Sequence, residues 1–183
     1  MTARALLRMG DPRLRVPAEP VTEAMRTSGA LAELVDDMVD TLDAAGGIGL
    51  AAPQIGVSLR VAIIRLQGGP SRYGELPVIP LTVYLNPEIE ILDATLQGFW
   101  EGCLSVPGLR GFVERPRKAR VRWSELDGSM RQCELEGFVA TVFQHEFDHL
   151  DGRLYVDRMR DLRQLVFEDQ LDGWLAAQQA QES

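Results

Sequence analysis

The chain is poor in the residues that most often carry chemistry. Its 183 residues include two histidines, two cysteines, three tryptophans and three tyrosines. Two histidines exclude a metal centre built on three of them. Two cysteines, Cys103 and Cys133, cannot form a disulfide framework. A single bridge is not expected either, because the start, MTARALLRMGDPRLRVP, lacks both a sustained apolar segment and an export cleavage site. No apolar run is long enough for a membrane-spanning helix. Positive charge is in deficit: 19 Lys and Arg stand against 27 Asp and Glu, a net charge of -8. That is a poor match to DNA phosphates. The densest basic stretch runs from Arg110 to Arg122. Its Arg115, Arg117, Lys118 and Arg120 read as a solvated loop and strand. Internal repeats and low-complexity segments are absent.

What is present suits one globular domain spanning 1–183, with about 161–183 as a C-terminal helix and polar tail. Hydrophobic residues make up 45% and charged residues 25%, an ordinary balance for such a domain. Residues 1–29 read as irregular, broken by Pro12, Pro17, Pro20 and Gly29. Leu31, Leu34, Val35, Met38, Val39 and Leu42 recur at helical spacing, and Gly46 and Gly47 stop that helix. Leu59–Leu66 reads as a strand. Gln67–Pro80, with three glycines and three prolines, reads as a loop. Leu81–Leu85 and Ile89–Leu92 read as short strands around Asn86-Pro87. Ala119–Trp123 and Met130–Leu135 make a hairpin across Asp127-Gly128. Gly137–Leu150 reads as a buried helix, and Leu162, Leu165, Val166, Leu171 and Trp174 as a last one. Strands between helices predict an α+β fold.

Both histidines fall in one string, Gln144-His145-Glu146-Phe147-Asp148-His149. At about 100° per residue, His149 lies about 40° around the helix from His145, one turn on. Both rings can reach one metal ion. Glu146 lies about 100° from His145 and about 60° from His149, so its carboxylate can approach the ion without ligating it. Phe138 and Val142 continue the same stripe, so the histidines face inward. The plainer reading is two core histidines with ordinary hydrogen bonds; the shared spacing and the intervening glutamate favour the metal.

A catalytic zinc-like centre has three protein ligands and an open position. The third could be a carboxylate: Asp151, Asp157, Asp161, Glu168 and Asp169 all follow the helix. Cys103 competes with them, set between a glycine and the Pro107-Gly108 turn. Cys133, alternating in a strand, reads as a packed thiol.

Three segments carry a family resemblance: Gly47-Ile48-Gly49-Leu50-Ala51-Ala52-Pro53-Gln54, Glu101-Gly102-Cys103-Leu104-Ser105, and Gln144-His145-Glu146-Phe147-Asp148-His149-Leu150. Together they resemble the three motifs of the peptide deformylase family, in its order. Asp11-Pro12-Arg13-Leu14-Arg15 and Asn86-Pro87 extend the resemblance over roughly residues 5–160, beyond which it fades. The resemblance implies a compact α+β domain with the histidine helix cradled by small antiparallel or mixed sheets. It implies a metal-dependent amidase that removes the formyl group from formyl-methionyl peptides, with Cys103, His145 and His149 as ligands. Glu146 would then be the general base, and Gln54 and the Leu104 N–H would hold the oxyanion.

Gly47 and Gly49 would let a peptide substrate lie close to the backbone in strand-like fashion. Ile48, Phe138 and Val142 are candidates for the methionine pocket, with core packing the plainer role. Arg110 matches a family arginine near the peptide path; a surface charge is the simpler reading. Glu101 pairs with Arg115 beneath the site in this scheme, and Asp148 orients a ligand histidine. One divalent ion is expected, ferrous iron by resemblance, with zinc or nickel also suited to the donor set. The resemblance implies a bacterial cytoplasmic home for an enzyme acting on nascent chains; an organellar chain stripped of its transit peptide would read the same way. A transient ribosome contact is compatible with this, although residues after Gly152 show no basic helix for gripping RNA. Two rivals stand beside it: a zinc endopeptidase with a downstream carboxylate ligand, and a non-catalytic metal-stabilised binding module.

Overall fold

The structure, a computed structural model, describes residues 3–181. Thr22 caps a first short helix, α1 (Glu23–Arg26), by accepting the Met25 N–H at 3.2 Å. This turn lies inside the stretch predicted to be irregular. Helix α2 (Gly29–Ala45) buries Leu31, Leu34, Val35, Met38 and Leu42, the apolar stripe of the sequence. It stops at Gly46, whose φ of +71° is left-handed and costs a glycine nothing.

The strands are β1 (Gly49–Ala51), β2 (Val61–Ser71), β3 (Gly74–Cys103), β4 (Val106–Ser124), β5 (Met130–Glu136) and β6 (Leu165–Phe167). All belong to one sheet in the order β1-β2-β3-β4-β5, with β6 also on β4, and every pair is antiparallel. The α+β class therefore stands, but one sheet with long strands replaces the small sheets expected.

Three local expectations change with it. Gln67–Pro80 is a two-stranded ribbon of β2 and β3, joined at Arg72-Tyr73. β1 pairs with β2 only up to Ile64, and β4 joins β3 only from Leu85. Pro70, Pro77 and Pro80 thus sit where one edge of each strand is free, and a missing N–H is tolerated there. Asn86-Pro87 does not separate two strands. It is an irregularity within β3, with Asn86 at φ +47°. The Asn86 side chain accepts from the Val21 N–H at 2.7 Å and donates to the Val21 carbonyl at 2.8 Å, which fixes the bend. Finally, Leu165–Phe167 is a strand on Leu109–Gly111, and the last helix, α4 (Leu171–Gln181), begins only after it. An open β4 edge overrides the helical spacing there. The end of the polar tail, 182–183, lies outside the described residues.

Helix α3 (Gly137–Leu150) packs on this sheet. Ala140, Phe143, Phe147 and Leu150 join Ala62, Ile64, Tyr84 and Val121 in one core cluster. A second cluster joins α2 to β1 and β2 through Met38, Leu42, Leu50 and Ile63. The Gly-rich segment after α2 is thereby pinned between the two cores, beside α3.

Candidate metal centre

Residues 99, 101 and 103 of β3 alternate to one side of the strand, and each meets α3 in turn. The Phe99 ring lies 5.3 Å from that of Phe138. Glu101 Oε2 is 2.7 Å from His145 Nδ1. Cys103 Sγ is 3.3 Å from His149 Nε2. The strand period of two thus runs along the helix period of 3.6, and a cysteine from one arrives at two histidines from the other.

The ligand atoms offered by Cys103, His145 and His149 all lie within 4.8 Å of one another. Glu101 takes the Nδ1 side of His145, so Nε2 is the nitrogen left to ligate. One thiol and two imidazoles are a donor set for zinc, ferrous iron or nickel. Glu146 Oε2 is buried without a partner, as a polar atom beside an ion and its water would be. The residues therefore fit a single metal ion.

The electrostatics agree. Burial opposes ionisation of Cys103, but His149 and His145 hold its thiol well below the ordinary value, in the form that binds metal. Burial pushes the Glu146 carboxyl above its usual range. Glu101 is buried as well, yet hydrogen bonds to His145 and Arg115 keep it below the ordinary carboxylate value.

Arg115, only 1% exposed, holds the layer beneath. Its Nε and Nη2 donate to the two Glu101 oxygens at 2.6 and 3.0 Å, and its Nη1 to Asp148 at 2.7 Å. This removes Arg115 from the solvated basic run read in the sequence. Asp148 also accepts from Arg158, at 3.0 Å from Nε. Asp148 hydrogen-bonds neither histidine. It sits about 60° to one side of His145 and about 100° from His149 around the helix, so its carboxylate turns to the two arginines. Orienting a ligand histidine falls to Glu101 instead. Arg158 was not singled out in the sequence, and the one signal for it is that a buried Asp148 needs a cation.

The Gly47–Gln54 segment enters from the other side. Gln54 Oε1 accepts the Ala51 N–H at 2.8 Å, which turns Nε2 toward Ser105 Oγ at 3.2 Å and Cys103 Sγ at 3.6 Å. Leu104 opens the two-residue turn directly after Cys103. A Cβ at Gly49 would stand 2.5 Å from the Glu146 carboxyl carbon, so the glycine makes room for that side chain. A Cβ at Gly47 would stand 3.0 Å from both Leu104 and Leu42. Ile48, between them, is 43% exposed. Val142 is a core residue, whereas Phe138 is half-buried with Phe99 and Tyr73 around it. Tyr73, at the ribbon tip, was missed in the sequence because its segment read as a loop. Tyr155, stacked on His145 at 6.1 Å, was missed as well. Arg110 lies over Gly102 and is ion-paired with Glu168. That pairing occupies one carboxylate that had competed for the metal.

Fold and site together define a hydrolase on an α+β scaffold, with a Cys-His-His metal centre and a buried glutamate beside it. Residues 3–165 match the family model described as polypeptide deformylase. The chain is 42% identical over 172 residues to a peptide deformylase of Leptospira biflexa serovar Patoc, covering 94% of this chain and 96% of that one. It is 48% identical over 166 residues to peptide deformylase 2 of Ralstonia nicotianae, covering 90% and 91%. The crystal structure of the class I type b peptide deformylase of Acinetobacter baumannii with Met-Ala-Ser bound superposes with a TM-score of 0.79. That pair is 36% identical, over 86% of this chain and 99% of that one. This chain belongs to the peptide deformylase family.

Proposed function

We propose that the chain hydrolyses the formamide bond of N-formyl-methionyl peptides and releases formate. The observation that carries this is the convergence of Cys103, His145 and His149 on one point, beside the unpartnered Glu146 Oε2. A divalent ion held by these three residues supplies Lewis acidity and makes water a nucleophile near neutral pH. Glu146 takes a proton from the attacking water as the water oxygen bonds to the formyl carbon. The Gln54 Nε2 amide and the Leu104 N–H donate to the oxyanion that forms. Glu146 then passes its proton to the peptide nitrogen, the C–N bond breaks, and formate and a free amine leave. Gly47, Ile48 and Gly49 present an edge along which the substrate backbone extends. Phe138, with Phe99 and Tyr73 against it, offers the methionine side chain an apolar wall.

Ferrous iron is the ion proposed for the working enzyme, and the bacterial cytoplasm its place, where the N-termini of new polypeptides are met. The endopeptidase alternative loses support because Glu168 is committed to Arg110. The direct test supplies formyl-Met-Ala-Ser and acetyl-Met-Ala-Ser to metal-loaded protein and measures formate and free amine. Formate from the first peptide alone, in step with new amine, is expected. Cleavage of an internal peptide bond, or no product, would contradict the proposal. Rates for anaerobically prepared iron, zinc and nickel forms test the metal, and equal rates would refute a preference for iron.

A further inference from the structure

Ahead of the first motif, a short irregular stretch touches both elements to which oxyanion binding has been assigned. The Leu7 N–H donates to the Gln54 carbonyl at 2.8 Å, and the Met9 N–H to the Ser105 carbonyl at 2.7 Å. Gln54 is one oxyanion donor, and Ser105 adjoins the other, Leu104. Ser105 is itself a junction: its Oγ accepts from Gln54 Nε2 at 3.2 Å and its N–H donates to Cys103 Sγ at 3.4 Å. Met9 is 44% exposed, so its side chain packs little and its main contribution is the backbone N–H.

We infer that the Met9 N–H is a positioning group: with the Leu7 N–H it fixes the Leu104-Ser105 turn at the separation from Gln54 that lets both donors meet one oxygen. This rests on the deformylase reading above. Geometry carries it, because two amides two residues apart bridge two motifs that are about fifty positions distant in sequence. A displacement of about 1 Å at such a site can cost about a hundredfold in rate.

The local backbone allows a clean test. Residues 8–11 form a turn closed by the Asp11 N–H on the Arg8 carbonyl at 3.0 Å, with Gly10 third at φ +110°. That resembles a type II turn, in which proline suits the second position, here Met9. Met9→Pro removes the N–H and keeps the turn, whereas Met9→Ala keeps both. Each variant is loaded with metal, and kcat and KM on a formyl-methionyl tripeptide are measured beside metal content and thermal midpoint. Met9→Pro should lose tenfold or more in kcat, roughly up to the loss of a whole oxyanion donor, with KM and metal content unchanged. Met9→Ala should match the parent. Equal kcat in the two variants would overturn the inference while leaving the deformylase reading intact. A parent chain inactive on formyl peptides would sink both. If Met9→Pro fails to fold, an amide-to-ester replacement at residue 9, introduced through a synthetic N-terminal peptide, deletes the same donor and is judged by the same outcomes.

Discussion

Replacing Gly49 by alanine adds a single methyl group at the most crowded point of the metal centre. Its Cβ would stand 2.5 Å from Cδ and Oε1 of Glu146 and 2.7 Å from Cγ. Ordinary contacts between such atoms fall near 3.5–4.0 Å, so about 1 Å of movement is forced. Gly49 is held in β1 by pairing with Ile64, and the helix that carries Glu146 is buried from Ala140 to Leu150, so the side chain gives way rather than the backbone. A base displaced by about 1 Å costs on the order of a hundredfold in rate. We therefore expect Gly49→Ala to lose about 10²-fold in kcat/KM, with one metal still bound per chain. Gly29→Ala is the control, since its Cβ meets nothing within 4 Å. Formate release with metal content measured on the same samples is the assay. Parental activity in Gly49→Ala would refute the argument that this glycine makes space for the base.

Gln54→Ala should lower kcat by about 10²–10³-fold while metal stays bound, because one oxyanion donor is gone; an unchanged kcat would remove Gln54 from the mechanism. Arg115→Met leaves Glu101 and Asp148 as buried carboxylates that have lost their shared partner, and should cost about 3–5 kcal/mol in denaturant unfolding. Glu146→Gln should abolish turnover and keep the metal, whereas loss of metal would make Glu146 a ligand instead. Burial pushes the Tyr84 hydroxyl up to about 12, two units above its ordinary value of 10.0. Its neutral form favours folding, so stability should fall as pH rises from about 10 to about 12, by at most about 2.7 kcal/mol. Tyr84→Phe should lack that part of the loss in alkaline unfolding curves.

The helical parts of the fold were legible because their apolar spacing is local. Leu31 through Leu42 announce α2, and the His145–His149 spacing points to a shared face before any third ligand is known. The sheet was less legible, because strand length depends on partners far away. Pro70, Pro77 and Pro80 look like loop residues until the free edges of β2 and β3 are seen. Leu165–Phe167 carries helical spacing and becomes a strand because β4 offers it an edge at Leu109–Gly111. The same limit shaped the site. Asp148 adjoins His149 in sequence and serves arginines in space, while Glu101, 44 residues from His145, holds its ring. Cys103 was distinguished from the downstream carboxylates only by resemblance; in the structure the alternation of Phe99, Glu101 and Cys103 along α3 brings it to the histidines.

The central claim, that one ion at Cys103, His145 and His149 activates water for deformylation, is tested most directly by titrating metal into metal-stripped protein while following formate release. Activity should rise linearly and stop at one equivalent per chain, and Cys103→Ser should show neither tight binding nor the rise. Activity that persists in a strong chelator, or that the Cys103→Ser chain retains with its metal, would contradict it.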